Sequence, residues 1–348
     1  MTRYPVNGTF ELTLRCNLHC RMCMFRQADQ NSACLQAAEL TAAQWIQMAE
    51  QAAQAGTLSL LLTGGEPMLR KDFAEIYEGI YAKGFLLTLY TNATLVTPEV
   101  MQILTKRPPH RIGVTLYGTD NADYEAICGC PDGFDRAMEG LGQLLTLPSV
   151  TEVRFTPTED TIGKLEQLDK LIFEKFGKHV ILSSRVFRAV RGGCMSPERC
   201  RPTAQQVVDA TWGQIESRLR EAIPEQLRHK LKVEILEQCS FTGEQETLLG
   251  CNAGMDSYII SYDGKLLGCQ LLDVFRTDAL QEGLLPAWQR YPETVALPEH
   301  PCKNCQHLES CTLCPAVALA ETGSFTGVPE YLCQITKLTE KRKEEFTL

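Results

Sequence analysis

From Thr9 to about Val190 the chain alternates short, continuously apolar runs with stretches of helical periodicity, beginning a strand-then-helix unit six times. The extended runs are Phe10–Leu14, Leu58–Thr63, Phe85–Thr91, Ile112–Tyr117, Val150–Thr156 and His179–Phe187. Thr41-x-x-Gln44 has the form of a capping box, after which Trp45, Met48, Ala49, Ala52 and Ala53 line one helix face until Gly56. Asp72 heads a second helix with Phe73, Ile76, Tyr77 and Ile80 on one side, closed by Gly84. Further helices are expected from Thr97-Pro98, over Phe134–Leu147, over Gly163–Phe176 and over Thr203–Ala222. Strands too uniformly apolar to carry a wet face, alternating with helices, call for an α/β fold with a parallel sheet covered by helices. Right-handed crossovers curl such a sheet toward a partial, TIM-like (β/α)6 barrel, with its chemistry at the C-terminal strand ends.

The alternation fades near Pro224, and from Gln238 onward the pattern is hairpin-like: Tyr258–Tyr262, a turn at Asp263-Gly264, then Lys265–Gln270. Three parts are therefore expected: a core domain over 1–195, a bridging helical segment over 196–238, and a cysteine-organised domain over 239–348. Eight of the 16 cysteines fall between Cys239 and Cys333. The 34 Lys+Arg against 43 Asp+Glu give a net charge of −9, which argues against a binder of nucleic acid or of anionic membrane. No apolar run reaches the ~18 residues of a membrane span. Met1–Thr9 lacks the apolar segment of a secretory signal, so a cytoplasmic location is expected. In a reducing compartment, 16 thiols point to metal rather than to disulfides.

Cys16-x-x-x-Cys20-x-x-Cys23 directly follows the first strand. Three thiolates this close can hold one inorganic cluster but supply no fourth ligand. A [4Fe–4S] cluster bound by them keeps one iron open to an outside chelator. A zinc knuckle using His19 is the competing reading of the same residues. The three-cysteine spacing resembles the signature of the radical SAM family. The resemblance implies that the open iron chelates the amino and carboxylate groups of S-adenosylmethionine. It also implies that the reduced cluster splits that sulfonium to methionine and a 5′-deoxyadenosyl radical. It makes Cys16, Cys20 and Cys23 both metal ligands and catalytic residues, and places Met22 near the adenine. Gly64-Gly65-Glu66-Pro67 looks like the family's GGEP motif, whose backbone and acid receive the methionyl ammonium. Thr91-Asn92 and Thr115 match positions with polar contacts to the ribose or carboxylate. Arg154 is a candidate for the carboxylate, with Arg185 and Arg188 as others.

The later cysteines read Cys251-x12-Gly264-x4-Cys269, then Cys302-x2-Cys305-x5-Cys311-x2-Cys314, then Cys333. This resembles the SPASM domain, which carries auxiliary [4Fe–4S] clusters, although the two residues Thr312-Leu313 stand where the family pattern has three. Carried over, Cys251, Cys269 and Cys314 hold a first auxiliary cluster, with Cys239 as candidate fourth ligand. Cys302, Cys305, Cys311 and Cys333 hold a second. Three [4Fe–4S] clusters are then implied, and four-cysteine zinc ribbons are the alternative. The remaining Cys34, Cys128, Cys130, Cys194 and Cys200 are expected to be buried as small apolar residues, with Cys194 and Cys200 also candidates for donating a hydrogen atom.

Together the resemblances imply a radical SAM/SPASM oxidoreductase that forms a cross-link or another oxidised product in a ribosomal peptide. With few residues before the first strand, any leader would be read by a separate protein or by the C-terminal face. Flavodoxin or ferredoxin would serve as electron donor. A radical dehydrogenase of a small metabolite is the second reading. A sulfatase maturase is disfavoured, because Gln270 stands where that group has its Asp base and Asp273 comes three residues later. A non-catalytic iron–sulfur or zinc scaffold would have no use for Gly64-Gly65-Glu66-Pro67.

Overall fold

The computed structural model describes residues 3–25, 33–182, 186–194, 196–223, 251–291, 301–308, 310–311 and 314–345. Its strands are β1 (Asn7–Glu11), β2 (Ser59–Thr63), β3 (Leu86–Thr91), β4 (Arg111–Leu116), β5 (Val150–Phe155), β6 (Val180–Leu182), β7 (Ser257–Ile260), β8 (Lys265–Leu267) and β9 (Thr277–Asp278). They form one nine-stranded sheet in the order β6-β5-β4-β3-β2-β1-β7-β8-β9. The first six are parallel, and β7 joins the other edge of β1 in the same direction, with Thr9 opposite both Leu61 and Ile259. The antiparallel β8 and β9 then end the sheet, so the barrel is open.

The helices are α1 (Ala33–Ala38), α2 (Ala42–Gln54), α3 (Phe73–Tyr81), α4 (Pro98–Lys106), α5 (Asn121–Cys128), α6 (Gly133–Leu144), α7 (Leu165–Phe176) and α8 (Ala204–Ala222). After the hairpin come α9 (Ala279–Glu282), α10 (Leu284–Arg290), α11 (Pro315–Thr322) and α12 (Glu330–Glu345). The capping box forms as expected: the Gln44 N–H donates to Thr41 Oγ1 and the Thr41 N–H to Gln44 Oε1. No helix among the described residues is long and apolar enough to cross a membrane.

Burial along the strands follows period two despite the apolar sequence. Phe10, Leu60, Leu62, Leu89, Val114 and Phe155 are fully buried in the main core, where Phe10 meets Trp45 of α2 at 5.0 Å between rings. Thr9, Leu61, Tyr90, Thr115 and Arg154, from the alternate row, are only half-buried and face the inside of the open barrel. Against the sequence-based expectation, β1 stops at Glu11 rather than Leu14. Leu12 to Arg15 leave the ladder to pair irregularly with Thr63 to Glu66. α5 was not anticipated, because its short apolar face rests on Tyr124, Ile127 and Cys128 alone. The expected strand to Phe187 is β6 over three residues only, and 183–185 lie outside the described residues. α12 packs on α8, Tyr331 and Ile335 meeting Val207, Val208 and Trp212.

Candidate functional site

The segment leading to the three cysteines is set by backbone contact and by two arginines, the half-buried Arg15 and the buried Arg70. Gly64 has φ 134°, and a Cβ there would sit 2.2 Å from the Thr13 carbonyl oxygen; on Gly65 it would sit 2.2 Å from that of Arg15. The space both glycines leave is filled by the chain itself, through Gly65 N–H to Thr13 O at 2.7 Å and Glu66 N–H to Arg15 O at 2.9 Å. Arg15 forks onto Glu39 with two bonds of 2.8 Å. Arg70 donates to the Leu12 and Leu40 carbonyls, both at 2.8 Å, and holds Asp72. Asp72, expected to cap α3, makes no side-chain cap bond and engages Arg70 instead.

Cys16, Cys20 and Cys23 lie close enough to act on one another and on Tyr117. Burial and then Glu66 push the Cys16 thiol well above its ordinary range, and Cys20 and Cys23 add to the shift. The sulfurs are supplied with hydrogen donors. The Leu18 N–H reaches Cys16 Sγ at 3.4 Å, the Phe25 N–H reaches Cys23 Sγ at 3.3 Å, and Asn92 Nδ2 reaches Cys16 Sγ at 3.7 Å. Donors aimed at sulfur favour thiolates, and three thiolates on one loop suit a [4Fe–4S] cluster with one iron lacking a protein ligand. The residues present therefore fit that cluster. His19, the fourth ligand a zinc knuckle needs, is exposed. No group of three or more His, Cys, Asp or Glu among the described residues is placed to hold a single ion.

Glu66 is fully buried. Its Oε1 accepts from Thr91 Oγ1 at 2.9 Å and the Met68 N–H at 3.1 Å, and its Oε2 from the Asn92 N–H at 2.8 Å. Burial pushes its carboxyl up to about 7, against the pull of those bonds. Pro67 opens a single 3-10 turn, and Met22 is buried in the core. The Asn92 side chain donates to Asn17 Oδ1 at 3.0 Å and accepts from the Thr94 N–H at 2.9 Å, so it braces the cysteine loop. Thr115 sits beside Arg154 in register. Arg154 donates to Glu152 at 3.0 Å and lies 4.2 Å over the Tyr90 ring. The Arg188 N–H donates to Glu321, whereas Arg185 lies outside the described residues.

Sequence reasoning missed Glu11 and Arg191. Arg191 forks onto the fully buried Glu11 at 2.9 and 2.6 Å. A Cβ on Gly193 would come 2.2 Å from the Met24 carbonyl, and the Cys194 N–H donates to Cys23 O at 2.8 Å. This stretch therefore clasps the far end of the cysteine loop. The available signal was a carboxylate inside a buried strand, which requires a partner.

Cys251, Cys269 and Cys314 pack together with Leu272 and Ala316. Burial lifts the Cys269 thiol to about 11, with Cys314 and Cys251 adding to it. The Cys302 thiol is raised by burial and then by Cys333, Cys305 and Cys311. Cys239 lies outside the described residues. Cys128, Cys130 and Cys200 are buried, but Cys34, outside the core on the short α1, is exposed. Cys194 and Cys200 stand 3.8 Å apart. A cavity of about 740 Å³ runs along the inner row at Thr9, Ser257 and Ile259, from Met24 to Cys269 and Leu271.

Residues 10–182 match the Radical SAM superfamily. Over 345 residues the chain is 26% identical to the AdoMet-dependent heme synthase of Methanosarcina barkeri, covering 95% of this chain and 97% of that one. It is 30% identical over 125 residues to the PqqA peptide cyclase of Streptomyces rochei, a match spanning 36% of this chain and 33% of that relative. Its fold is similar to that of native anSMEcpe with bound AdoMet and Cp18Cys peptide, with a TM-score of 0.68 and 14% identity over 98% of both chains.

Proposed function

Since the chain belongs to the radical SAM superfamily, we propose that it is a SPASM-type oxidoreductase that modifies a ribosomally made peptide, by a cross-link or a related oxidation. The observation that carries this reading is the cavity of about 740 Å³ joining Met24, next to Cys23, to Cys269-Gln270-Leu271. A substrate in it lies between the two thiol regions. The kinship with a PqqA peptide cyclase and the fold shared with a peptide-bound anSMEcpe support a peptide as occupant.

When bound, a reduced [4Fe–4S] cluster with S-adenosylmethionine supplies a 5′-deoxyadenosyl radical. The chain's own part is to position and to exclude. Cys16, Cys20 and Cys23 would hold three irons and leave the fourth to the nucleoside's amino and carboxylate groups. Glu66 lies buried beside Cys16, and an ammonium brought to it favours its ionised form. Ile259, Leu271 and Phe187 give the cavity apolar walls that keep water from a radical. Cys251, Cys269 and Cys314, with Cys239 as candidate fourth ligand, and Cys302, Cys305, Cys311 and Cys333 would hold two auxiliary clusters. These would accept an electron from the substrate and complete a two-electron oxidation. A cytoplasmic flavodoxin or ferredoxin would supply reducing electrons, and a separate leader-binding protein would present the peptide.

The heme synthase similarity, which runs along 95% of the chain, favours a second reading in which the same cavity takes a heme precursor. Anaerobic incubation with S-adenosylmethionine and dithionite, with mass spectrometry of a peptide encoded beside the gene, tests both. The expected result is 5′-deoxyadenosine together with a peptide that has lost a pair of hydrogens. Conversion of a heme precursor with the peptide untouched establishes the second reading. No 5′-deoxyadenosine from a protein with intact clusters leaves only a scaffold.

A further inference from the structure

Two of the three N-terminal ligand sulfurs take a hydrogen bond from the backbone two residues ahead: Cys16 from Leu18 and Cys23 from Phe25. Cys20 is served differently. Its Sγ lies 3.4 Å from the Sγ of Cys128, a residue 108 positions later, and Cys128 is fully buried. The placement is built from several contacts. The last turn of α5 receives the cysteine loop through His19 N–H to Cys128 O at 2.7 Å and Arg21 N–H to Ile127 O at 3.0 Å. Gly129 closes the helix in the left-handed region at φ 63°, which turns the chain away.

Cys128 is too close to Cys20 to be a second ligand. Two thiolates on one tetrahedral ion stand on the order of 3.8 Å apart, given metal–sulfur bonds near 2.3 Å. On different irons of a cubane they stand farther apart still, because each bond points outward from its own corner. A pair at 3.4 Å is at the spacing of a thiol donating to a sulfur, and between two thiols the donor is Cys20. Once Cys20 is bound to iron as a thiolate it carries no proton, so the proton on that axis belongs to Cys128.

We infer that Cys128 is a positioning residue for the N-terminal cluster, donating an S–H···S hydrogen bond to Cys20 that raises the cluster's reduction potential. This rests on the reading of Cys16, Cys20 and Cys23 as cluster ligands. A donor to a ligand sulfur stabilises the added negative charge of the reduced state, and is one of the recognised determinants of iron–sulfur potentials.

The test compares wild type, Cys128→Ala, Cys128→Val and Cys128→Ser as reconstituted full-length proteins. The readout is the midpoint potential of the electron paramagnetic resonance signal that changes on adding S-adenosylmethionine, with iron counted in each. Both apolar variants, which differ in size but share the lost donor, are expected to fall below wild type, and Cys128→Ser to stay near it. One common potential for all four proteins overturns the inference, as does a serine variant that falls with the apolar pair. If neither apolar variant keeps iron, Cys128→Ser is expected to keep it at the wild-type potential, and its failure to do so overturns the inference. A wild type without any S-adenosylmethionine-responsive signal overturns the cluster reading itself.

Discussion

Glu11 and Arg191 meet across 180 residues of sequence, the guanidinium forked onto the carboxylate at 2.9 and 2.6 Å, with 0% and 6% of their side chains exposed. Glu11 ends β1, just before the chain turns out of the sheet toward Cys16. Arg191 opens the stretch that hydrogen-bonds Cys23 through Cys194. The pair therefore pins together the two segments that bracket the cysteine loop.

Breaking the pair from one side strands a buried charge, which typically costs about 3–5 kcal/mol. Arg191→Met is thus expected to lower the melting temperature and to reduce iron uptake at the N-terminal site. Glu11→Met with Arg191→Met, which removes both charges, should restore most of the stability. Thermal unfolding of the single and double variants checks this, and a single variant as stable as wild type would show the pair to be idle.

The motif glycines make a sharper steric prediction. Gly64→Ala and Gly65→Ala each drive a methyl to 2.2 Å from a carbonyl oxygen. Each should displace Leu12–Arg15 and abolish cluster retention, with strain of about 1–3 kcal/mol at the positive φ of Gly64 alone. Gly163→Ala, where a Cβ meets nothing within 4 Å, is the matched control and should keep its iron. Iron and sulfide analysis of the three variants decides.

Glu66 gives a pH dependence with a fixed sign. Burial raises its folded value from the ordinary 4.5 to about 7, so between those values the folded protein holds a proton that the unfolded chain has released. Its contribution to stability is present below about 4.5 and is lost as pH rises through about 7. Denaturant unfolding of the metal-free protein across this window should show stability falling with pH, and Glu66→Gln should flatten the trend. Binding of an ammonium ligand has the opposite sign: it favours the carboxylate, so affinity for S-adenosylmethionine should rise from pH 6 to pH 8. Calorimetry at the two values checks it.

The sequence revealed what local spacing encodes and hid what distant contacts decide. Cys16, Cys20 and Cys23 are legible because their convergence needs only one loop. β2 is legible because Gly56 and Gly64 bound a short apolar run. Leu12–Leu14 reads as more strand because it is apolar, yet the close approach of Gly64 and Gly65 draws it out of the ladder. The pairing of β7 with β1 sets Thr9 beside Ile259 and leaves no local trace. Likewise the bracing of Asn17 and Thr94 by the Asn92 side chain leaves no trace in the local sequence. Cys128 reads as a small apolar filler until the fold carries it to Cys20.

The two thiol regions make separable predictions about chemistry. Cys20→Ala removes a proposed ligand of the N-terminal cluster and should eliminate 5′-deoxyadenosine formation. Cys305, one of the three thiols that raise Cys302, is a proposed ligand of the second auxiliary cluster. Cys305→Ala should therefore leave S-adenosylmethionine cleavage measurable while product is lost, because radical generation survives and the later electron transfer does not. Iron in the wild type should approach twelve per chain, on the order of four for each of three clusters. Loss of one auxiliary cluster should bring Cys305→Ala toward eight on the same count. About four irons accompanied by zinc would instead identify the C-terminal cysteines as ribbons. Full product from Cys305→Ala would make that region structural, and the oxidation would then need an electron acceptor other than this protein.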